Sequence, residues 1–163
     1  MGKKKKKNKT PTDNQNRTIT LNRKARHDYH ILDDYHAGLV LVGSEIKSIR
    51  AGRVNISEGF VQERNGELWL MGVHIAPYKQ GKTFGHDDPF RPRKLLLHRR
   101  EITEITERIR DIGFSCVPLR LYLERGLAKV EIAVARGKKN YDKRQDIAKR
   151  DAERKMRRAL KNY

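Results

Sequence analysis

The sequence predicts a mainly β protein: a small antiparallel β-barrel of the oligonucleotide-binding type with two or three inserted helices and a basic C-terminal tail. About six short runs that alternate apolar with polar residues indicate antiparallel strands, and apolar residues spaced three or four apart indicate the helices. A nearly neutral middle between two basic ends fits a binding barrel with charged extensions. An open sheet with helices on one face is the alternative that the same pattern allows.

The charge of this chain is concentrated at its ends. The 163 residues have a net charge of +18, but residues 27–135 contain sixteen Lys and Arg against fifteen Asp and Glu. Such an excess of cations favours a polyanionic partner, nucleic acid before an anionic membrane surface. Like-charged ends repel themselves and bury little apolar surface. The predicted organisation is therefore a disordered basic arm over residues 1–20, an RNA-binding β-barrel domain over residues 21–136, and a disordered or conditionally helical tail over residues 137–163.

Two short strands and a helix are the first elements predicted. Residues 29–32 and 38–43 are apolar runs on either side of Asp33-Asp34, a pair typical of a turn. Ser44 can cap a helix that Gly52 ends. The two faces of that helix carry Ile46 and Ile49 on one side, and Lys47 and Arg50 on the other.

Two hairpins follow from their turn residues. Asn65-Gly66, between strand-like runs, predicts a hairpin over residues 59–75, and Arg125-Gly126 predicts another over residues 119–135. In the second hairpin, alternate apolar residues predict one buried face, formed by Leu119, Leu121, Leu123, Val130, Ile132 and Val134.

A loop and a helix are predicted between the hairpins. Residues 77–94 are rich in Pro, Gly and charge and predict an exposed loop. Residues 98–112 predict a helix that Gly113 ends. The stripe by which this helix packs on the sheet consists of Ile102, Ile105, Ile109 and Ile112.

The sequence lacks the residue patterns that several classes of chemistry require. Cys116 is the single cysteine, which excludes an internal disulfide, and its apolar surroundings predict a buried, inert thiol. The histidines lack metal-site spacing, no nucleotide-binding motif occurs, and Asp33-Asp34 and Asp87-Asp88 stand beside turn residues. No run approaches the ~20 apolar residues of a membrane span, and Lys3–Lys7 lacks the apolar stretch of a signal peptide. We predict a cytoplasmic, non-enzymatic protein without cofactor, metal or membrane partner.

Three basic segments are candidates for RNA contact. Residues 22–27 combine guanidinium groups with an amide, which suits phosphates and base edges, although a merely solvated charge run is equally compatible. In residues 91–100, basic residues flank three leucines that could form an apolar platform or belong to the core. Residues 137–163 contain a weak apolar stripe at helical spacing, and such a helix would fold against RNA phosphates.

The chain resembles the SsrA-binding protein family, also called small protein B. The resemblance runs in order through residues 22–29, 37–38, 45–52, 74–77, 93–98, 135–139 and the triplet Asp142-Lys143-Arg144. It implies an oligonucleotide-binding-type barrel that grips the transfer-RNA-like domain of transfer-messenger RNA and delivers this RNA to stalled bacterial ribosomes for trans-translation. The incomplete peptide is then tagged and the ribosome is rescued.

The resemblance also implies how the two parts of the chain divide this work. The body would stand in for the codon–anticodon helix and the anticodon arm, and the tail would enter the empty mRNA channel near the decoding centre as a helix. Elongation factor Tu would belong to the delivered complex, with the protein as a monomer. A ribosomal or ribosome-assembly protein is the alternative, because small β-barrels with basic tails also occur in that class.

Site residues are implied in two groups. The RNA-facing residues carried over from the family are Asn22, Lys47, Leu96 and Lys129, and charge adds Arg23, Lys24, Arg26, His27 and Arg50. The tail residues that would meet the ribosome are Gly137, Lys138, Lys139, Asp142, Lys143 and Arg144. His36 stands where the family usually has a glutamate, and an imidazole cannot replace an acceptor-only carboxylate.

Overall fold

A computed structural model describes residues 16–78 and 88–161. Within these ranges the elements, in chain order, are β1 (Asn16–Leu21), α1 (Arg23–Asp28), β2 (Tyr29–Leu39), α2 (Gly43–Arg50), β3 (Val54–Asn55), β4 (Phe60–Arg64), β5 (Glu67–Met71), β6 (His74–Ile75), β7 (Arg93–Leu96), α3 (Arg99–Arg110), β8 (Phe114–Glu124), β9 (Leu127–Gly137) and α4 (Asn140–Lys161).

Seven of the strands form one antiparallel sheet in the order β1-β8-β9-β2-β7-β5-β4, and β3 pairs with β6. The sheet curls, because β4 at one end lies beside β8 near the other end. No hydrogen-bonded ladder joins β4 to β8 among the described strands, so a closed barrel is not formed by pairing there. The mainly β, antiparallel fold with three helices inserted before the tail confirms the predicted class, and the arrangement is compatible with the oligonucleotide-binding type.

Both predicted hairpins are confirmed. β4 and β5 turn at Asn65-Gly66, and β8 and β9 turn at Arg125-Gly126. All four turn residues have φ between 50° and 79°, the left-handed region that a tight two-residue hairpin turn requires.

The main core lies between the curled sheet and the helices α2 and α3. Ile49 of α2 and Ile105 of α3 are fully buried there against strand residues such as Leu70, Leu95 and Ile132. Ile102, Ile105 and Ile109 of the isoleucine stripe predicted for α3 therefore pack on the core as expected. Its last member does not, because α3 ends at Arg110 and Ile112 is fully exposed.

A second, smaller cluster covers the opposite face of the β8–β9 hairpin. Ala25 of α1 packs there on Val117, Leu119, Ala133 and Ala135. Leu119 reaches this face because the pairing register shifts between Pro118 and Arg120, which adds one residue to β8. The prediction that Leu119 shares one buried face with Leu121 and Leu123 is wrong for this reason.

The start of the chain differs from its prediction. β1 pairs with β8 from Asn16 opposite Glu124 to Leu21 opposite Arg120, so residues 16–20 of the predicted basic arm belong to the sheet. Three consecutive β-branched residues, Thr18, Ile19 and Thr20, favour a strand in this segment when an unpaired edge is available. The first fifteen residues of that arm lie outside the described residues.

The turn predicted at Asp33-Asp34 is also wrong. β2 is one continuous strand from Tyr29 to Leu39, and its register against β9 shifts between Ile31 and Asp33. A long partner strand overrides the turn preference of aspartate, and the extra residue at this bulge is Leu32.

The loop predicted over residues 77–94 is only partly described. Residues 79–87 lie outside the described ranges, and β7 begins at Arg93, so the last two residues of the predicted loop are a strand. Arg93 is fully buried in that strand, where its guanidinium pairs with Glu45 of α2.

Candidate nucleic-acid interface

The structure distributes the predicted RNA-facing residues over three places. One group stands on α1, a second on α2, and a third on the outer face of the curled sheet. The members are Asn22, Arg23, Lys24, Arg26 and His27 for α1, Lys47 and Arg50 for α2, and Leu96 and Lys129 for the sheet.

The sheet group lines a shallow depression. Leu96 of β7 and Lys129 of β9 both lie opposite Gly38 of β2, on either side of it. A Cβ atom at Gly38 would approach the Leu96 Cβ to 3.3 Å, so the glycine keeps this part of the sheet open. The depression, of about 520 Å³, is also lined by His36 and His98. Leu96 is 52% exposed, which gives the depression an apolar wall facing solvent.

Lys129 supplies a cation to this depression, but a neighbouring carboxylate competes with any bound anion for it. Its ammonium group forms an ion pair with the Glu124 carboxylate of β8. The hydrogen bond to Glu124 raises the pKa of Lys129 and lowers that of Glu124, so both are charged at neutral pH. A phosphate that binds here would have to share Lys129 with Glu124 or displace it.

His36 belongs to a polar network beside Lys129. Its Nδ1 lies 2.8 Å from the Tyr122 hydroxyl, and its Nε2 lies 4.0 Å from the Asp34 carboxylate. Arg120 stacks on the Tyr122 ring, with its guanidinium carbon 4.6 Å from the ring centroid, and donates to Glu131 at 2.9 Å. Burial raises the pKa of the Tyr122 hydroxyl, which therefore stays protonated. The imidazole is thus held in the depression, at the position where the resemblance gives a glutamate.

Asn22 has a structural role that its sequence context did not reveal. Its side chain is 2% exposed and caps α1 by accepting from the Ala25 backbone N–H at 3.0 Å. Its amide nitrogen donates to the carbonyl oxygens of Pro118 at 2.9 Å and Ile56 at 3.2 Å. With both ends of the amide engaged and buried, Asn22 holds α1 on the body and acts on a ligand only through α1.

The cations of α1 are turned toward solvent. Arg23, Lys24 and Arg26 are exposed, and His27 is partly exposed. Lys24 is paired with Glu58 at 2.5 Å, so it is available to an anion only in competition with that carboxylate. Arg23 and Arg26 are therefore the cations of this helix that can bind an anion with less competition than Lys24.

The two cations of α2 have different partners. The Lys47 ammonium is 5.5 Å from the Tyr78 ring centroid, a cation–π distance. Arg50 donates to the carbonyl oxygen of Gly126 at 3.3 Å and so links α2 to the β8–β9 turn. Both side chains remain exposed.

The predicted tail residues lie at the end of β9, in a short linker and at the start of a long helix. β9 ends at Gly137, and α4 runs from Asn140 to Lys161 without a buried residue. Lys139 and Arg144 are exposed. Lys138, Asp142 and Lys143 instead contact α1 and the first residues of β2.

Residues 16–78 and 88–161 contain no group of three or more His, Cys, Asp or Glu side chains placed to hold a metal ion. None of the described helices is long and apolar enough to cross a membrane.

A curled antiparallel sheet with a depression that presents an exposed leucine beside a lysine, exposed arginines on α1 and a projecting basic helix together define a nucleic-acid-binding protein. A family model described as SmpB protein matches residues 19–162, and the chain belongs to this family.

Individual relatives agree with this assignment. The SsrA-binding protein of Ligilactobacillus salivarius is 54% identical over 153 residues, which cover 94% of this chain and 96% of the relative. That of Roseiflexus castenholzii is 62% identical over 146 residues, covering 89% and 92%. A solved structure described as "tmRNA-SmpB: a journey to the center of the bacterial ribosome" is 47% identical, has a TM-score of 0.63 and covers 74% of this chain and 85% of that chain.

Proposed function

We propose that this protein binds transfer-messenger RNA and delivers it to stalled ribosomes for trans-translation, as an RNA-binding adaptor and not as an enzyme. The observation that carries the proposal is the family match over residues 19–162, which spans both the sheet and α4. The protein would act in the bacterial cytoplasm as a monomer, with elongation factor Tu in the delivered complex.

The body and the tail have separate tasks in this proposal. The domain over residues 21–136 binds the transfer-RNA-like part of the RNA, and the tail over residues 137–163 reaches the decoding centre and the empty mRNA channel. Direct contacts of the body come from the exposed or partly exposed members of the predicted set, namely Arg23, Lys24, Arg26, His27, Lys47, Arg50, Leu96 and Lys129. Asn22 supports them by positioning α1.

The depression on the sheet supports RNA contact by its chemistry. An exposed leucine beside a lysine offers an apolar surface for a base or ribose next to a cation for a phosphate. The near-neutral charge of residues 27–135 means that recognition there depends on placed groups and not on bulk charge.

Substitution of Lys129 tests this proposal. Lys129→Glu would place a second carboxylate beside Glu124, and it should weaken binding to transfer-messenger RNA by about tenfold or more, since a charged hydrogen bond contributes about 1.5–3 kcal/mol. Arg110→Glu, the same charge change at the far end of α3, is the matched control. Filter binding measures the affinity, and a duplex RNA of equal charge reports non-specific binding.

The outcomes separate the proposal from its alternatives. Equal affinity for transfer-messenger RNA and the duplex at moderate salt would contradict specific recognition. Constant, stoichiometric presence in purified ribosomal subunits would favour a ribosomal protein instead. An unfolded Lys129→Glu variant, judged by its melting transition, would show that Lys129 is structural.

A further inference from the structure

The tail helix is fastened to the body at a defined place. The Lys138 backbone N–H donates to the carbonyl oxygen of Asp28 at 2.8 Å. Five residues further on, the Lys143 ammonium lies 3.5 Å from the Asp28 carboxylate. His30 Nε2 lies 3.5 Å from the Asp142 carboxylate on the same turn of α4. The first turn of α4 therefore rests on the end of α1 and the start of β2.

Lys138 strengthens this junction from the linker. Its ammonium forms an ion pair with Asp146, on the second turn of α4, and donates to the carbonyl oxygen of Arg26 at 3.3 Å. The Lys138 side chain is only 8% exposed, so the linker is packed between α1 and α4. Both ends of the short linker after β9 are consequently held.

Asp28 is the residue on which these contacts converge. It is the last residue of α1, and a carboxylate is unfavourable at a helix C-terminus because of the helix dipole. Its partners compensate, with His27 Nδ1 at 2.9 Å and Lys143 at 3.5 Å. The hydrogen bond from His27 and the charge of Lys143 lower the pKa of Asp28, which stays ionised at neutral pH. The Asp28 carboxylate thus links His27 of α1 to Lys143 of α4.

We propose that Asp28 is a positioning residue that fixes the direction in which α4 leaves the RNA-binding body. This inference rests on the proposed function, in which α1 binds RNA and α4 engages the ribosome. The exposed cations of α1 face solvent while its last residue holds the tail, so one short helix sets the geometry between bound RNA and tail.

Helix length makes this geometry sensitive to the anchor. The 22 residues of α4 extend about 33 Å at 1.5 Å per residue, so a small rotation at the base displaces the far end by a large distance. Without the Asp28 carboxylate, the base of α4 would be held only by the contacts of Lys138 and by the His30–Asp142 pair, and α4 would sample a wider range of directions. The tail would then reach its binding place less often while the body still held the RNA.

A charge swap tests the anchor in the full-length protein. Spin labels on cysteines introduced at Glu104 of α3 and Arg154 of α4 report the distance between body and tail, because both positions are exposed or partly exposed and Cys116 is buried. Asp28→Lys should broaden the distance distribution by repulsion of Lys143, and Asp28→Lys with Lys143→Asp should narrow it again. Asp33→Lys, which breaks the Asp33–Arg108 pair away from α4, is the matched control and should leave it unchanged.

Function is measured in parallel on the Asp28→Lys variant. Affinity for transfer-messenger RNA should not fall, because the substitution removes a negative charge beside the cations of α1. Peptide tagging on stalled ribosomes should fall severalfold. A distance distribution as narrow as that of the wild type, or one that the swap fails to narrow, would overturn the inference. Absence of RNA binding by the wild type would contradict the proposed function and leave the distance test valid.

Discussion

A buried ion pair decides how α2 is held on the sheet. Glu45 accepts hydrogen bonds from the backbone N–H of Val42 at 3.0 Å, from Arg91 at 2.6 Å and from Arg93 at 2.9 Å. Burial would raise the pKa of the Glu45 carboxyl, but the hydrogen bonds from Arg91, Val42 and Arg93 outweigh it and lower this pKa. Arg93 also donates to the carbonyl oxygens of Val73 and Pro89. The buried arginine therefore joins α2, β7 and the segment before β7.

Arg93→Met should destabilise the protein by about 3–5 kcal/mol, because it leaves a buried carboxylate short of a partner. Urea unfolding measures this loss. The pKa of Glu45 is lower in the folded than in the unfolded protein, so its contribution is complete above the unfolded value of about 4.3 and is lost as the pH falls through the folded value. The free energy of unfolding of Arg93→Met should accordingly fall less steeply with decreasing pH than that of the wild type.

The double variant Glu45→Met with Arg93→Met is the control for that experiment. Removing both charges avoids an unpaired one, so the double variant should be more stable than the sum of the single losses predicts. A single variant as stable as the wild type would show that Arg91 alone neutralises Glu45.

Cys116 should be unreactive in the folded protein. Burial raises the pKa of its thiol to about 12, against about 8.5 for a free cysteine, so at pH 8 its thiolate fraction is lower by a factor of about 1,000 or more. Alkylation at pH 8 should be slow in buffer and fast in urea. Fast alkylation in buffer would contradict the burial of β8 at this point. Because the folded pKa is the higher one, the thiol also makes stability fall as the pH rises from about 8.5 toward 12.

Sequence reasoning was sufficient for Cys116 and insufficient for Asn22 and Glu45. The apolar run around the cysteine is local, and local patterns predict burial. Asn22 and Glu45 are satisfied by partners 34 to 96 residues away, which no local pattern shows. Asn22, at the start of a basic run, therefore looked like a surface contact, whereas the structure shows a buried anchor.

Among the elements, strand pairing explains where the predicted fold was right and where it was wrong. The hairpins are encoded in two-residue turns and could be predicted. β1 and the continuous β2 depend on distant partners, β8 and β9, so their sequences alone did not reveal them. The same reason applies to the depression, since Leu96 and Lys129 meet only because β7 and β9 both pair with β2.

Helix α1 should depend on Asn22 for its attachment. Asn22→Ala removes the N-cap, at a cost of about 1 kcal/mol, and leaves the carbonyl oxygens of Pro118 and Ile56 without this donor. We expect faster hydrogen exchange in α1, lower stability and weaker RNA binding together. Arg23→Ala, on the exposed side of the same helix, should weaken RNA binding and leave exchange and stability unchanged. Normal exchange in Asn22→Ala would contradict the anchoring role.

For the whole molecule, the distribution of charge separates two tasks. Residues 137–163 contain eleven Lys and Arg against four Asp and Glu, whereas residues 27–135 contain sixteen against fifteen. α4 buries none of its residues, so its removal exposes little apolar surface and the sheet should fold without it. The 22 residues of α4 extend about 33 Å, several times the Debye length of about 8 Å, so charges near its far end interact weakly with charges on α1 or the sheet.

Deletion of residues 137–163 should therefore leave the affinity for transfer-messenger RNA nearly intact and abolish tagging on stalled ribosomes. The salt dependence of binding identifies the reason, because each phosphate contact contributes about 0.7–0.9 to the slope of log K against log salt. Equal slopes for the full chain and the deletion would mean that the tail contacts no phosphate of this RNA. A shorter deletion of residues 150–163 keeps the contacts of Asp28 with Lys138 and Lys143 and should match the longer one in affinity and slope. Parallel loss of RNA affinity and tagging, with a slope reduced by several units, would instead make the tail part of the RNA-binding surface.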